Sequence, residues 1–546
     1  MKLYDGFKSY WFWFLIMLLT ALPAFLVNLG ALPFIDDEAI RSTVAFEMLK
    51  SGDYLTPRTA GELYLKKPPL FNWLVAASFR LTGQSGELPG RLVMVFSLLA
   101  FIVSIFLLLR KYTGDKIALA TAFMFLTTGR ILIYESLYGL IDITLSWIVF
   151  SVFIGLYRLF EKERWLALFL FGYGLTAVAF LLKGLPALVF LATTLLVLFI
   201  DRKRFAVLFS WQHIAGIILF LIITGSYYLA WSLENNLSPE AVWNVLFTET
   251  TRRTAAHYGI GKTLLHLFTF PFEMIYHFLP WSLLFPVLAF SKVRREVLSH
   301  PFYRYLLLCF FFNILVYWSS PEVYPRYILM LIPLILAVGF YGLNIMMEQK
   351  SSLRTIWNGL LLFLTGAGLV ASAALPFIPF HTSIPLMLIA TAGVLLFGGM
   401  LILSIYQPGH RIYYAIISLL LARIIFDLTV IPERVATSEK AQFREELKEF
   451  VESVKDEPVY FWWNDYYDPD GYYGRRIPTY WFIGYVGMFR DSVVPTTDRK
   501  DLPGIGITRE YMLAGYDVDI LWKVLPPEHD SPIIFFRFKP VPEGNE

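Results

Sequence analysis

Charge is scarce in this chain and cysteine nearly absent, and each shortage narrows what the protein can be. Only 16% of its 546 residues are charged, against 57% hydrophobic, a balance that excludes an ordinary water-soluble domain and points to long segments in lipid. The sole cysteine, Cys309, excludes an intrachain disulfide, and its apolar surroundings make it a packing residue. There is no phosphate-binding glycine loop, so a nucleotide site is not indicated and no nucleic-acid partner is expected. Low-complexity tracts and evident internal repeats are also missing, which counts against a transporter built of repeated halves. Metal-ligand spacing is lacking as well. His257, His266 and His277 do not fall one helical turn apart, and Asp468, Asp470 and Gly471 lack the first and last ligands of a calcium loop.

What the chain has in abundance is apolar sequence. Mean hydropathy is +0.58, and runs such as 10–29, 88–109 and 386–405 come near the ~20 residues a helix needs to cross the hydrocarbon core. Backbone groups in lipid must be satisfied within the segment, so these runs are helices. The first is longer than the ~7 to 15 residues of a signal-peptide core, so a membrane span is expected there rather than a cleavable leader. A formal net charge of +3 says little, but the placement of the cations says more. Lys2/Lys8, Arg110/Lys111/Lys116, Arg158/Lys162/Arg164, Arg202/Lys203/Arg204, Lys292/Arg294/Arg295, Lys350/Arg354 and His410/Arg411 lie between alternate apolar runs. By the positive-inside rule they mark the cytoplasmic side, giving about thirteen spans with the N-terminus in and the C-terminus out.

The expected fold is a polytopic α-helical membrane protein in two parts: a transmembrane domain over residues 1–432, with an outer loop at 31–87, and a soluble α/β domain over 433–546. Within the loop, 71–81 is too short to cross and reads as an interfacial helix. From about residue 432 the composition turns to EKAQFREELKEFVESVKDE, then VYFWW and IIFFRF, the signature of helix and short strands. An odd number of spans puts this domain outside, as a lid or acceptor-binding appendage.

Polar residues of unusual placement gather on the same outer face. Asp36, Asp37 and Glu38 open an amphipathic stretch that closes at Gly52; Asp36 or Asp37 suits the cap and Glu38 the positive end of the dipole. Three acids exceed what capping requires, and Asp37 is the candidate to accept a proton from an acceptor hydroxyl or to orient it. Arg41, four residues on, shares its helical face. Lys67 precedes Pro68-Pro69, so a helix starts at the prolines and its first-turn amides converge with the ammonium on one anion, as suits a phosphate. Asp142 interrupts an apolar run near its outer end and requires a partner there, with an ordinary helix-capping role as the alternative. Lys183, at a Gly184/Pro186 turn, adds positive charge, or simply snorkels. TETTRRTAAHYG carries Glu249, Arg252 and Arg253, where guanidinium forks suit phosphate and a solvated loop is the alternative. Arg326 and Tyr327 open another span as interfacial anchors or cavity-lining groups.

Taken in order, DDEAIRSTVAFEMLKSGDYLTPR, YLKKPPLFNWL, the Asp142 helix, LLKGLPAL, HFLPW and RYILMLIP resemble the GT-C class of membrane glycosyltransferases, specifically the aminoarabinose transferase and protein mannosyltransferase-like superfamily. The resemblance implies an enzyme of the bacterial inner membrane, with its active site on the outer side. It implies transfer of a sugar from a polyprenyl-phosphate carrier to a lipid or glycan acceptor such as lipid A, by direct displacement with inversion. It makes Asp37 the catalytic loop aspartate and Asp142 the second acidic residue, with Lys67, Tyr64 and Tyr327 at the carrier phosphate. This chain departs from the family at Ile40, where an Arg is common, at Lys66 in place of Glu, and at Thr250 in place of His. The last two are positions through which relatives hold a divalent metal, so no cofactor is assigned here. Competing classes are a glycan ligase or protein O-glycosyltransferase of the same fold and a lipid-linked sugar transporter. A transporter should carry its polar residues along a path at mid-membrane.

Overall fold

The computed structural model describes residues 2–64, 67–244, 260–320, 323–349, 351–462, 479–527, 529 and 531–539. The chain divides into two units: Met1–Leu29, Lys66–Leu70 and Arg91–Glu433 form the first, and Gly30–Leu65, Phe71–Gly90 and Arg434–Glu546 the second.

The first unit is helical because its sequence is a series of apolar runs. Eight helices among the described residues are long and apolar enough to cross a bilayer, from Glu87–Thr113 to Pro408–Ala436, and three shorter apolar helices join them at Tyr10–Leu26, Pro186–Asp201 and Ile332–Glu348. The protein is an integral membrane protein. The expected count of about thirteen spans is not confirmed among the described residues, where some apolar runs are broken. WSLLFPVLA follows Pro280 and contains Pro286, and it forms the 3-10 helix Trp281–Ala289, consistent with the amide hydrogen that each proline lacks. The run that begins at Asp115 yields only the twelve-residue helix Asp115–Leu126 and then a π-helical turn, Ile131–Glu135. The stretch directly after TETTRRTAAHYG is helical, Ile260–His277 forming an α-helix. Cys309 is fully buried and free.

The second unit has its own core, drawn from both ends of the sequence. Five strands form a mixed sheet in the order Thr496–Thr497, Val459–Trp462, Ile505–Arg509, Ile533–Phe538, Val518–Val524. The first three are parallel, and the last two pair antiparallel. IIFFRF is the strand between two neighbours, and its first four residues are buried, as a continuous apolar run demands. Helix Glu439–Ser453 lays Phe450 against Trp522 and Phe535, with ring centroids at 4.7 and 4.8 Å. Phe34, Ala39 and Ala60 from the early segment lie in the same core as Trp462, Trp481 and Phe535. The loop that sequence assigned to the membrane domain therefore folds with the carboxy-terminal α/β segment.

Helix Asp36–Ser51 ends at Gly52, whose φ of 74° is the left-handed conformation glycine adopts without strain. Its start differs from expectation. The residue before the first turn is Ile35, and Asp36, Asp37 and Glu38 all lie inside that turn. Glu38 reaches back to accept from the Ile35 amide at 3.4 Å, a back-bond of the capping-box kind. A two-residue hairpin turn follows, Ala60 and Gly61 both at positive φ between strands Arg58–Thr59 and Glu62–Leu63. The Glu47 carboxylate accepts from the Ala60 and Gly61 amides at 2.5 and 3.1 Å. Helix Leu70–Thr82 starts directly after Pro68-Pro69, as their fixed φ favours.

Candidate functional site

One end of the first unit gathers the ionisable residues that its apolar helices cannot leave alone. Asp142 lies in the first turn of Ile141–Glu161, with Leu140 in the cap position, so the ordinary capping role does not explain it. Its carboxylate, 4% exposed, is held from two directions. Lys183, the last residue of helix Trp165–Lys183, donates to Oδ1, and Arg326 of the 3-10 turn Pro325–Ile328 brings Nε to 3.3 Å of Oδ2. Helix geometry makes this possible, since the start of one helix and the end of the next lie side by side in an antiparallel pair. Tyr327 completes the group: the Lys183 ammonium stands 4.0 Å from its ring centroid, and the Arg326 guanidinium 4.5 Å from the ring of Tyr324.

A second carboxyl belongs to the same electrostatic neighbourhood. Glu135 closes the π-helical turn and is wholly buried; Arg130 donates from Nε to its Oε1 at 2.6 Å. Burial pushes its pKa up to about 7; Arg130 and Arg326 pull against that rise, and the Asp142 charge adds to it. Among these residues three cations, Arg130, Lys183 and Arg326, face two carboxyls, and burial favours the neutral form of one of them, Glu135. Such a group carries net positive charge and suits an anion.

The other candidates lie on other elements. Asp37, exposed in the first turn of its helix, Arg41 and Tyr64 belong to the second unit. Arg41 is buried and donates to Asn72 Oδ1 at 3.3 Å. Tyr64 is buried beside Val44 and Met48, its ring edge-on to Tyr480 at 6.2 Å. Lys67 is partly exposed in the first unit. Glu249, Arg252 and Arg253 lie outside the described residues, as does Thr250. Among the described residues no group of three metal-ligating side chains converges.

A buried ion pair joins the residues singled out from sequence. Arg423 and Asp427, on helix Arg411–Ala436, bond through Nε to both carboxylate oxygens at 2.8 Å. The same guanidinium donates to the Leu132 carbonyl and, at 2.7 Å, to Ser136 Oγ, pinning the turn that presents Glu135. The signal was legible: opposite charges four residues apart inside LLLARIIFDLTV are costly in lipid unless they pair.

The family of dolichyl-phosphate-mannose-protein mannosyltransferases matches residues 66–231. An uncharacterised protein of Aquifex aeolicus is 27% identical over 66% of this chain and 69% of its own length. The undecaprenyl phosphate-α-4-amino-4-deoxy-L-arabinose arabinosyl transferase of Pseudomonas paraeruginosa is 26% identical over 63% of the chain and 61% of its own length. In fold, the chain is similar to ArnT from Cupriavidus metallidurans bound to undecaprenyl phosphate, with a TM-score of 0.65 at 18% identity, covering 96% of this chain and 98% of that one. The apo state of the same protein gives 0.64 at 17%, covering 96% and 97%. A polytopic helical unit, a sheet-bearing second unit and these similarities support a membrane glycosyltransferase of the GT-C kind. Within that class the chain is similar to the ArnT and protein mannosyltransferase type.

Proposed function

We propose that the protein moves a single sugar from a polyprenyl-phosphate-linked donor to an envelope acceptor such as lipid A, at the outer face of the bacterial inner membrane and with inversion at the anomeric carbon. The observation that carries this reading is the convergence of Lys183 and Arg326 on Asp142 beside Tyr327. Departure of a sugar from phosphate leaves negative charge on the lipid carrier. Cations fixed in place before the reaction stabilise that charge without reorganising, and in a water-poor site each is worth more than in solvent. Asp142 holds both cations in register, and Lys67 supplies a further ammonium next to the helix that follows Pro69.

On the acceptor side, Asp37 takes a proton from a hydroxyl nucleophile as its bond to the sugar forms. A lipid phosphate is already a nucleophile, and Asp37 then orients it. Attack opposite the departing phosphate gives the inverted product. The basic loops support the outward placement, since they lie at the ends of these helices remote from Asp142 and Lys183 in the sequence.

The test is turnover of a defined polyprenyl-phosphate sugar by the purified protein in lipid, with the product mass recorded. Asp37→Asn should lower turnover by roughly a hundredfold or more, and the mass gained by the acceptor should be that of one sugar. Wild-type turnover in Asp37→Asn removes the assigned role, and transfer of an oligosaccharide makes the protein a glycan ligase. Glycan mass spectrometry of cells with and without the protein identifies the acceptor.

A further inference from the structure

Glu135 is a buried carboxyl that the transfer mechanism above leaves without a task. Its side chain is 0% exposed, and Arg130 Nε takes care of Oε1 at 2.6 Å. Oε2 is buried with no hydrogen-bond partner among the described residues. An orphaned carboxylate oxygen inside a protein is costly, and native structures keep one where the charge state itself matters. Nor is the side chain free to swing out to water. The Arg423 guanidinium donates to the Leu132 carbonyl and to Ser136 Oγ, and Ser136 Oγ donates in turn to the Ile131 carbonyl at 2.6 Å. Residues on both sides of Glu135 are thereby clamped, and the turn they form is π-helical, a geometry common at functional sites.

The charged groups around Glu135 come from several elements. Arg130 precedes its own turn, Asp142 and Arg326 act on it through space, and Arg423 with Asp427 stands behind Leu132 and Ser136. His277, the last residue of helix Ile260–His277, also feels the Arg130 charge.

We infer that Glu135 is a positioning residue for the lipid-phosphate site: through Arg130, its carboxyl sets how much positive charge the Asp142, Lys183 and Arg326 cluster offers to the carrier's phosphate. The inference rests on the reading of that cluster as the phosphate site. When Glu135 is neutral, Arg130 adds its full charge to Lys183 and Arg326. When Glu135 is ionised, it neutralises Arg130, and the anion is held less tightly. The lift of its pKa to about 7 puts the change within the physiological range. Binding of a lipid phosphate should therefore weaken as pH rises through that region.

The experiment measures equilibrium binding of undecaprenyl phosphate to full-length wild type and Glu135→Gln in nanodiscs between pH 6 and 8.5. Gln keeps an oxygen for the Arg130 bond and loses the charge. The phosphomonoester gains charge near pH 6 in its own right, an effect common to both proteins, so the readout is the ratio of wild-type Kd to Glu135→Gln Kd. That ratio should lie near one at pH 6 and climb to roughly three- to tenfold at pH 8.5, one unit of coupled pKa being a factor of ten. A ratio constant across the range overturns the inference while leaving the phosphate site standing. Absence of saturable binding to wild type at every pH overturns both. If Glu135→Gln elutes as aggregate, Arg130→Gln takes its place; it should bind more weakly at pH 6 and show a flatter pH response than wild type, and an undiminished response overturns the proposal.

Discussion

A carboxylate enclosed by protein is tolerated where donors meet it, and Glu47 shows what such an enclosure does to its proton. The Ala60 and Gly61 amides bond both of its oxygens and favour the charged form, yet burial outweighs them and lifts its pKa from 4.5 to about 7. Between those values the folded chain keeps a proton that the unfolded chain releases. The resulting stabilisation is complete below about pH 4.5, falls as pH rises, and is lost above about pH 7, up to about 3 kcal/mol in all. Amide exchange at Ala60 and Gly61, corrected for intrinsic rates, should show greater protection at pH 5 than at pH 8. Glu47→Gln should flatten that trend and forfeit one of the two backbone bonds, at about 1–2 kcal/mol; equal protection of the wild type at both pH values would refute the assignment. Residues of this kind are half-visible in sequence. Glu38 and Glu47 share the helix of Asp37, but which acid turns inward depends on what packs over each face. Asp142 was more legible, because an aspartate inside an apolar run requires a partner whatever the fold. Its partners, Lys183 and Arg326, lie 41 and 184 positions away, and nothing local in the sequence joins the three as one group.

At the scale of elements, the second unit depends on two helices coming unusually close. Asp36–Ser51 packs on Tyr480–Arg490, and a Cβ added at Gly484 would sit 2.4 Å from Thr43 Oγ1. Glycine is required there for approach rather than for conformation. Gly484→Ala should destabilise the unit by about 1–3 kcal/mol through overpacking, read as a lower unfolding midpoint in limited proteolysis. Adding Thr43→Ala should recover most of that loss, although it removes the 3.2 Å bond from Thr43 Oγ1 to the Tyr480 carbonyl. No recovery in the double variant would mean that the helices do not meet at this point. Helix Asp36–Ser51 itself was readable from its acidic start and its closing Gly52. The helix it packs against was not, since YWFIGYVGMFR is apolar on every side and has neither a strand-like nor a helical period.

For the whole molecule, the main consequence is that the early outer loop and the carboxy-terminal segment share one core. Phe34 donates its amide to Tyr485 Oη at 2.9 Å and stacks on the same ring at 5.2 Å. Tyr485 Oη in turn donates to Glu87 Oε1 at 2.6 Å, which also accepts from Arg444 at 2.9 Å. Removing residues 434–546 should therefore unfold the segment that carries Asp37, Arg41 and Tyr64, rather than merely detach an appendage. The expected result is a protein that still inserts into the membrane but is cut by protease within 30–65 and has lost transfer activity. Protection of 30–65 in that truncation would show that the loop folds alone. Sequence by itself determined the class of this protein: long apolar runs must be helices in lipid, and ordered polar motifs at their ends carry the kinship to a glycosyltransferase class. Only tertiary structure decided which spans remain continuous, which charges meet at Asp142, and that 30–90 folds mainly with 434–546. The reason is physical. Periodicity and hydropathy are local and can be read along the chain, whereas the partner that neutralises a buried charge or covers an apolar face is selected by packing between segments hundreds of residues apart.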